Sequence, residues 1–130
     1  APKLAVVMIG TNNAGHRRED PKDTARGVTA IVENLKKRLP KTKILLLAIF
    51  PRGTDDSDAL RKLNQKTNKL IRKCAADERV TFLDINEEFL DEKRVLQKSI
   101  MPDRLHPNAQ GYRIWAAAME PMIKKLMGEK

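Results

Sequence analysis

The sequence predicts an α/β fold in which a short parallel sheet has helices on both of its faces. Three apolar runs have the length of strands, and they read LAVVMI, KILLLAIF and VTFLDI. Between and after these runs, apolar residues recur at the three- and four-residue spacing of amphipathic helices. Because strands and helices alternate, right-handed crossovers should join the strands into a parallel sheet. A length of 130 residues fits one domain.

The three predicted strands differ in how deeply we expect them to be buried. The runs at residues 4–9 and 43–50 are continuously apolar, which is typical of strands covered on both faces. The run at residues 80–85 alternates more, and we expect it nearer an edge of the sheet. An open edge beside the first strand would be a liability. We therefore expect a second copy of the chain, or a missing N-terminal segment, to pair with the strand from Leu4 to Ile9.

Apolar stripes and capping residues predict three helices. They lie at residues 24–39, 58–76 and 108–127, with a further short helical turn at residues 87–90. Asp23 is a candidate N-cap for the first helix, and either Ser57 or Asp58 for the second. Pro121 falls inside the third pattern, where it should kink or split the helix because proline has no N–H to donate.

Charge and composition exclude several function classes. The chain has 26 Lys and Arg against 17 Asp and Glu, a net charge of +9. These cations are spread over the predicted helix faces with acids among them, which favours an ordinary solvated surface. Aromatic residues make up only 4% of the chain, too few for a base-stacking platform, and no nucleic-acid motif is present. We expect no nucleic-acid partner and, without an apolar run of about 20 residues, no membrane span.

The cysteine and histidine content argues against disulfides and metals. The one cysteine, Cys74, cannot form an internal disulfide. It falls on the apolar stripe of the second helix, where thiols are usually inert. Two histidines without paired cysteines make a zinc site improbable. We expect no cofactor, and the sequence does not indicate a compartment.

A first candidate site follows the first predicted strand, which ends in GTNN. In open α/β sheets, ligands bind at the carboxyl ends of the strands. Gly10 would allow a tight backbone turn, and the amide of Asn12 could donate to an oxyanion. The same four residues are also ordinary turn chemistry, so this motif alone leaves both interpretations open.

A second candidate site is the pair Asp103 and His106, which stands just before the third helix. A carboxylate on one imidazole nitrogen fixes the tautomer and stabilises the imidazolium, as a general base requires. The alternative is a surface turn, stiffened by Pro107, that ends in an Asn108 helix cap. His16, in a polar loop near the first motif, is more typical of a surface residue.

Together the two motifs resemble those of the SGNH (GDSL-like) hydrolase family, in its branch of platelet-activating-factor acetylhydrolase-like proteins and bacterial carbohydrate esterases. The resemblance runs from Leu4 to about Leu126 and includes VVMIGTNNAGH, LAIFPRG, NQKTNKLI, FLDI and LHPNAQGYRIWAAAMEP. It implies a flavodoxin-like three-layer α/β/α fold. It also implies hydrolysis of small acyl esters, such as acetyl groups on carbohydrates, through a serine acyl-enzyme without a metal or cofactor.

The resemblance implies a role for four residues of this sequence. Asp103 and His106 match the family's fifth motif, as orienting acid and general base. Gly10 and Asn12 match its third motif, with the Asn12 side chain as an oxyanion donor. Asn13 stands where many members of the family have aspartate, a departure that this branch tolerates.

The family's Gly-Asp-Ser nucleophile motif is absent from these 130 residues. The two serines, Ser57 and Ser99, lack the setting of a nucleophile elbow, and Thr11 has no activating context of its own. We therefore expect a single domain over residues 1–130, truncated at its N-terminus. It would be the C-terminal part of an acylesterase and inactive by itself. The alternative is a non-catalytic binding or assembly module with a degenerate hydrolase fold, which binds acidic glycans through its positive charge.

Overall fold

A three-stranded parallel sheet organises the protein. The computed structural model describes residues 2–9, 20–104 and 106–128. Its strands are β1 (Leu4–Val7), β2 (Lys43–Leu47) and β3 (Val80–Leu83), in the order β1-β2-β3. In this register Val6 pairs with Leu45, and Leu45 pairs with Thr81. The predicted parallel α/β fold is confirmed.

Three long helices connect and follow the strands. They are α1 (Pro21–Arg38), α2 (Ala59–Ile71) and α3 (Ala109–Leu126), and 3-10 helices span Arg72–Ala76 and Asn86–Phe89. The predicted cap of α1 was wrong: Asp20 accepts from the N–H of Lys22, because Pro21 suits the first helical position and starts the helix earlier. The caps of the other two helices are Asp58 and Asn108, as the sequence predicts.

Pro121 does not split α3, contrary to one of the two predicted outcomes. The helix continues from Ala109 to Leu126 with Pro121 inside it and exposed. Apolar side chains from both sides of the proline pack against one core, and they are Ile114, Trp115, Ala118, Met119, Met122, Ile123 and Leu126. Tertiary packing therefore holds the two halves together where propensity alone favours a break.

The core consists of two apolar clusters, one on each face of the sheet. Ile44 and Leu46 of β2 belong to the cluster that includes α1 and α2 residues. Leu45 and Leu47 belong to the other, against which α3 packs. All four side chains are at most 1% exposed, so the predicted burial of this strand on both faces is confirmed.

The outer strands are less buried than β2. Among the described residues, β1 pairs with β2 alone, and its Val6 is 42% exposed. β3 forms the other edge, as its alternating sequence predicts. The apolar sequence of β1 is typical of an interior strand, yet within the described sheet this strand is at an edge.

Candidate active site

The turn before α3 brings Asp103 and His106 into direct contact. One carboxylate oxygen of Asp103 lies 2.7 Å from Nδ1 of His106, and the other accepts the backbone N–H of His106 at 2.7 Å. An ionised carboxylate can only accept, so the ring hydrogen must lie on Nδ1. In the neutral imidazole this leaves Nε2 with a free lone pair. The arrangement is the one a general base needs.

The ion pair between Asp103 and His106 contributes little to folding stability. The side chains of His106 and Asp103 are 75% and 54% exposed. Exposed ion pairs contribute little to folding free energy, since water and salt screen them. The open position instead leaves Nε2 accessible to a reacting group from outside these residues.

Asn108 fixes the turn to the start of α3. Its Oδ1 accepts the N–H of Gly111 at 2.9 Å, and its Nδ2 donates to the carbonyl of Ser99 at 2.7 Å. One side chain therefore caps the helix and holds the segment that precedes Asp103. The Asn108 cap predicted for a surface turn is present, and it coexists with the Asp103–His106 pair.

Gly111 allows the turn to approach the helix closely. A Cβ at this position would lie 2.5 Å from the carbonyl oxygen of Ile100 and 2.8 Å from Cβ of Pro107. Any larger residue would push the segment that carries His106 away from α3. A glycine three residues beyond a cap is the sequence signal for this approach.

A buried arginine organises the neighbouring loop between β2 and α2. Arg61 is 1% exposed and donates to the carbonyls of Arg52 at 2.9 Å, Gly53 at 3.1 Å and Arg94 at 2.6 Å. Gly53 in turn donates its N–H to the carbonyl of Arg104, next to Asp103, at 3.4 Å. Arg61 therefore links α2, through this loop, to the turn that carries the candidate base.

Sequence reasoning missed Arg61 although a signal existed. Arg61, Asn64, Asn68 and Ile71 repeat at helical spacing and are all buried in α2. The side-chain amide of Asn68 hydrogen-bonds the backbone of Ile49 in both directions, as a neighbouring strand would. It donates to Ile49 O at 3.0 Å and accepts from Ile49 N at 2.7 Å. The polar residues at helical spacing on the inward face of α2 form a pattern from which Arg61 could have been identified.

Acidic side chains in the same loop are held ionised. The Arg94 guanidinium hydrogen-bonds Asp56 and lowers the pKa of that carboxyl below its ordinary value. The hydroxyl and N–H of Ser57 lower the pKa of Asp55 in the same way. Ser57 is thus engaged within its own loop. Within the described residues, neither its hydroxyl nor that of Ser99 hydrogen-bonds His106.

The remaining predicted site residues lie outside the described residues. These are Gly10 and Asn12 with the neighbouring Thr11, Asn13 and His16. In the part of the chain that the structure describes, no group of three His, Cys, Asp or Glu residues is placed to hold a metal ion. No helix of the described ranges is long and apolar enough to span a membrane.

The chain belongs to the GDSL-like lipase/acylhydrolase family, which it matches over residues 1–114. It is 32% identical to the human platelet-activating factor acetylhydrolase IB subunit alpha1 over 129 residues, 98% of this chain and 54% of that protein. It is 33% identical to the mouse alpha2 subunit over 129 residues, 98% of this chain and 55% of that protein. The chain thus spans about half the length of the curated relatives it matches.

Solved structures share the fold at lower identity. A GDSL-like lipase from Bacteroides thetaiotaomicron matches with a TM-score of 0.78 and 22% identity, over 95% of this chain and 63% of that one. A catalytic mutant of an acetylxylan esterase from Geobacillus stearothermophilus matches with a TM-score of 0.73 and 21% identity, over 99% of this chain and 61% of that one. The predicted family and flavodoxin-like fold class are confirmed.

Proposed function

We propose that this chain supplies the general base and the orienting acid of a serine acylesterase. The observation that carries the proposal is the contact between Asp103 and Nδ1 of His106 at 2.7 Å, which leaves Nε2 as the proton acceptor. Membership of an acylhydrolase family supports the reaction class. Asn12, with Gly10 before it, is proposed as an oxyanion donor.

The proposed reaction runs in two halves. A serine hydroxyl from outside these 130 residues gives its proton to Nε2 of His106 as it attacks the ester carbonyl. Asp103 stabilises the imidazolium, and Asn12 donates to the oxyanion. The imidazolium then protonates the departing alcohol, which leaves an acyl-enzyme. In the second half, His106 takes a proton from water, hydroxide adds to the acyl carbon, and the serine leaves with the proton.

The proposed substrate is a small acyl ester, most simply an acetyl group. Two kinds of relatives support this size of acyl group, since they are named for acetylhydrolase and acetylxylan esterase activity. For the alcohol part we propose a carbohydrate hydroxyl, so that the substrate is an O-acetylated carbohydrate.

The open edge of β1 is proposed to pair with further polypeptide. Val6 is 42% exposed, and β1 pairs with β2 alone among the described residues. A strand with this composition favours a covering partner, either further polypeptide of the same protein or a second copy. Size-exclusion chromatography of the 130 residues should show self-association. A compact monomer whose β1 amides exchange rapidly would contradict pairing with a second copy.

Hydrolysis of p-nitrophenyl acetate tests the function. We expect the 130 residues alone to be essentially inactive compared with the native-length protein, because a triad without its nucleophile keeps only the residual catalysis of oxyanion stabilisation and binding. The protein in its native length should hydrolyse the ester through a serine that mass spectrometry can detect as acetylated. Turnover by the 130 residues at a rate close to that of the native-length protein, abolished by His106→Ala, would show that the nucleophile lies within this chain. A native-length protein without esterase activity would refute the proposed function.

A further inference from the structure

A groove that includes neither Asp103 nor His106 lies between α2 and β3. It has a volume of about 440 Å³, within the range of small-molecule sites. Residues from α2, from the carboxyl ends of β2 and β3, and from the following 3-10 helix line it, and neither Asp103 nor His106 is among them. The proposed esterase reaction therefore makes no use of this groove.

The rim of the groove is positively charged. Lys62, Lys66, Lys69 and Arg72 line it, are exposed, and form no salt bridge within the described residues. At 1.5 Å per helical residue they extend over about 15 Å. The acids of the lining are Asp84 and Glu87, and Glu87 is already paired with Arg94. The excess of positive charge around the groove favours the binding of an anion.

The inner wall holds two amide atoms that lack a partner among the described residues. Asn64 is 2% exposed, and its Nδ2 has no acceptor in the described part of the chain. Asn86 donates its Nδ2 to Ile49 O at 2.9 Å, but no described group donates to its buried Oδ1. Buried polar groups are normally paired, so such atoms need an explanation. A missing donor and a missing acceptor together match a hydroxyl, which both donates and accepts.

An apolar surface adjoins these polar groups. Phe82 lines the same groove and is partly buried, and the guanidinium carbon of Arg72 lies 5.3 Å from its ring centroid. An aromatic ring can pack against the C–H face of a pyranose. The groove therefore combines cations, a hydroxyl-matching amide pair and an aromatic ring.

We propose that this groove binds an acidic saccharide, in which a uronic acid carboxylate meets Lys66 and Lys69. A sugar hydroxyl is bound by Asn64 and Asn86, and the pyranose ring packs on Phe82 in place of the Arg72 guanidinium that lies over this ring. An inorganic anion without a hydroxyl, such as sulfate, would leave Oδ1 of Asn86 without a donor, and a neutral sugar would leave the lysines unused. The groove is thus a saccharide-binding subsite in addition to the proposed esterase centre.

Isothermal titration of the chain with digalacturonate tests the proposal. Neutral galactobiose and inorganic sulfate, which has no hydroxyl, serve as comparison ligands. We expect digalacturonate to bind at least tenfold more tightly than either, because only it engages both the lysines and the amide pair. Equal affinity for galactobiose would overturn the role of the charged rim. Equal affinity for sulfate would overturn recognition of the sugar.

Two variants locate the binding. Lys66→Glu with Lys69→Glu should weaken digalacturonate binding at least tenfold, whereas the matched change Lys124→Glu with Lys125→Glu on α3 should change it less than twofold. Asn64→Leu should also weaken binding, and circular dichroism would check that each variant is folded. Equal losses in the two charge-reversed proteins would mean nonspecific attraction and would overturn the proposed site.

Discussion

Replacing Arg61 by methionine should strongly destabilise the fold. Methionine retains the apolar stem but removes the donors that reach the carbonyls of Arg52, Gly53 and Arg94. Each hydrogen bond from a charged donor stabilises by about 1.5–3 kcal/mol. The gain from no longer burying a guanidinium offsets part of this loss. We expect a net loss of about 3–5 kcal/mol, because three carbonyls lose their donor and each unsatisfied buried group costs about 1–3 kcal/mol.

Urea unfolding followed by the fluorescence of Trp115, the one tryptophan, measures this loss. Trp115 packs edge-on against Phe50, with ring centroids 4.9 Å apart, so it reports on the core beside the loop. A loss of this size should lower the urea midpoint by about 2 M. Lys62→Met, at the exposed neighbour of Arg61 on α2, should shift the midpoint by less than about 0.3 M. If Arg61→Met behaves like Lys62→Met, the argument that Arg61 organises the loop is refuted.

Three further changes test other parts of the structure. Gly111→Ala should lower stability by about 1–3 kcal/mol in the same urea assay, because its Cβ would clash with Pro107. An unchanged urea midpoint would mean that the turn moves freely. Leu46→Ala should cost about 2–5 kcal/mol by leaving a cavity in the fully buried strand, and a smaller loss would mean that the core collapses into the space. Asp56→Asn should make the free energy of unfolding depend less steeply on pH in the acidic range. The pKa of Asp56 is lowered by its hydrogen bond to Arg94 from 3.8, so its contribution is present above that value and is lost as pH falls through the folded pKa. If the free energy of unfolding of the variant falls as steeply at acidic pH as that of the unmodified protein, this prediction is contradicted.

The layout of the sheet could be predicted because the apolar pattern of β2 agrees with its burial in the structure. Its continuous apolar sequence requires cover on both faces, and both core clusters meet there. The boundary of α1 could not be predicted as well. Asp20 and Asp23 are both reasonable caps, and only the preference of Pro21 for the first turn decides between them. Pro121 does not split α3 because long-range packing outweighs a local preference.

The candidate site could be predicted only in its local part. Asp103 and His106 are three residues apart, so one turn is enough to join them. Arg61 hydrogen-bonds carbonyls of residues up to 33 positions away. A local sequence pattern does not predict such distant partners. The groove beside α2 also depends on side chains from distant segments, such as Asn64 and Asn86.

The most direct test of the central claim is the effect of His106→Ala on kcat for p-nitrophenyl acetate in the native-length protein. If His106 is the general base that Asp103 orients, kcat should fall by about 10³-fold or more. Lys124→Ala, on the exposed side of α3, should leave kcat unchanged. A His106→Ala protein that keeps kcat within tenfold of the unmodified enzyme would contradict the account.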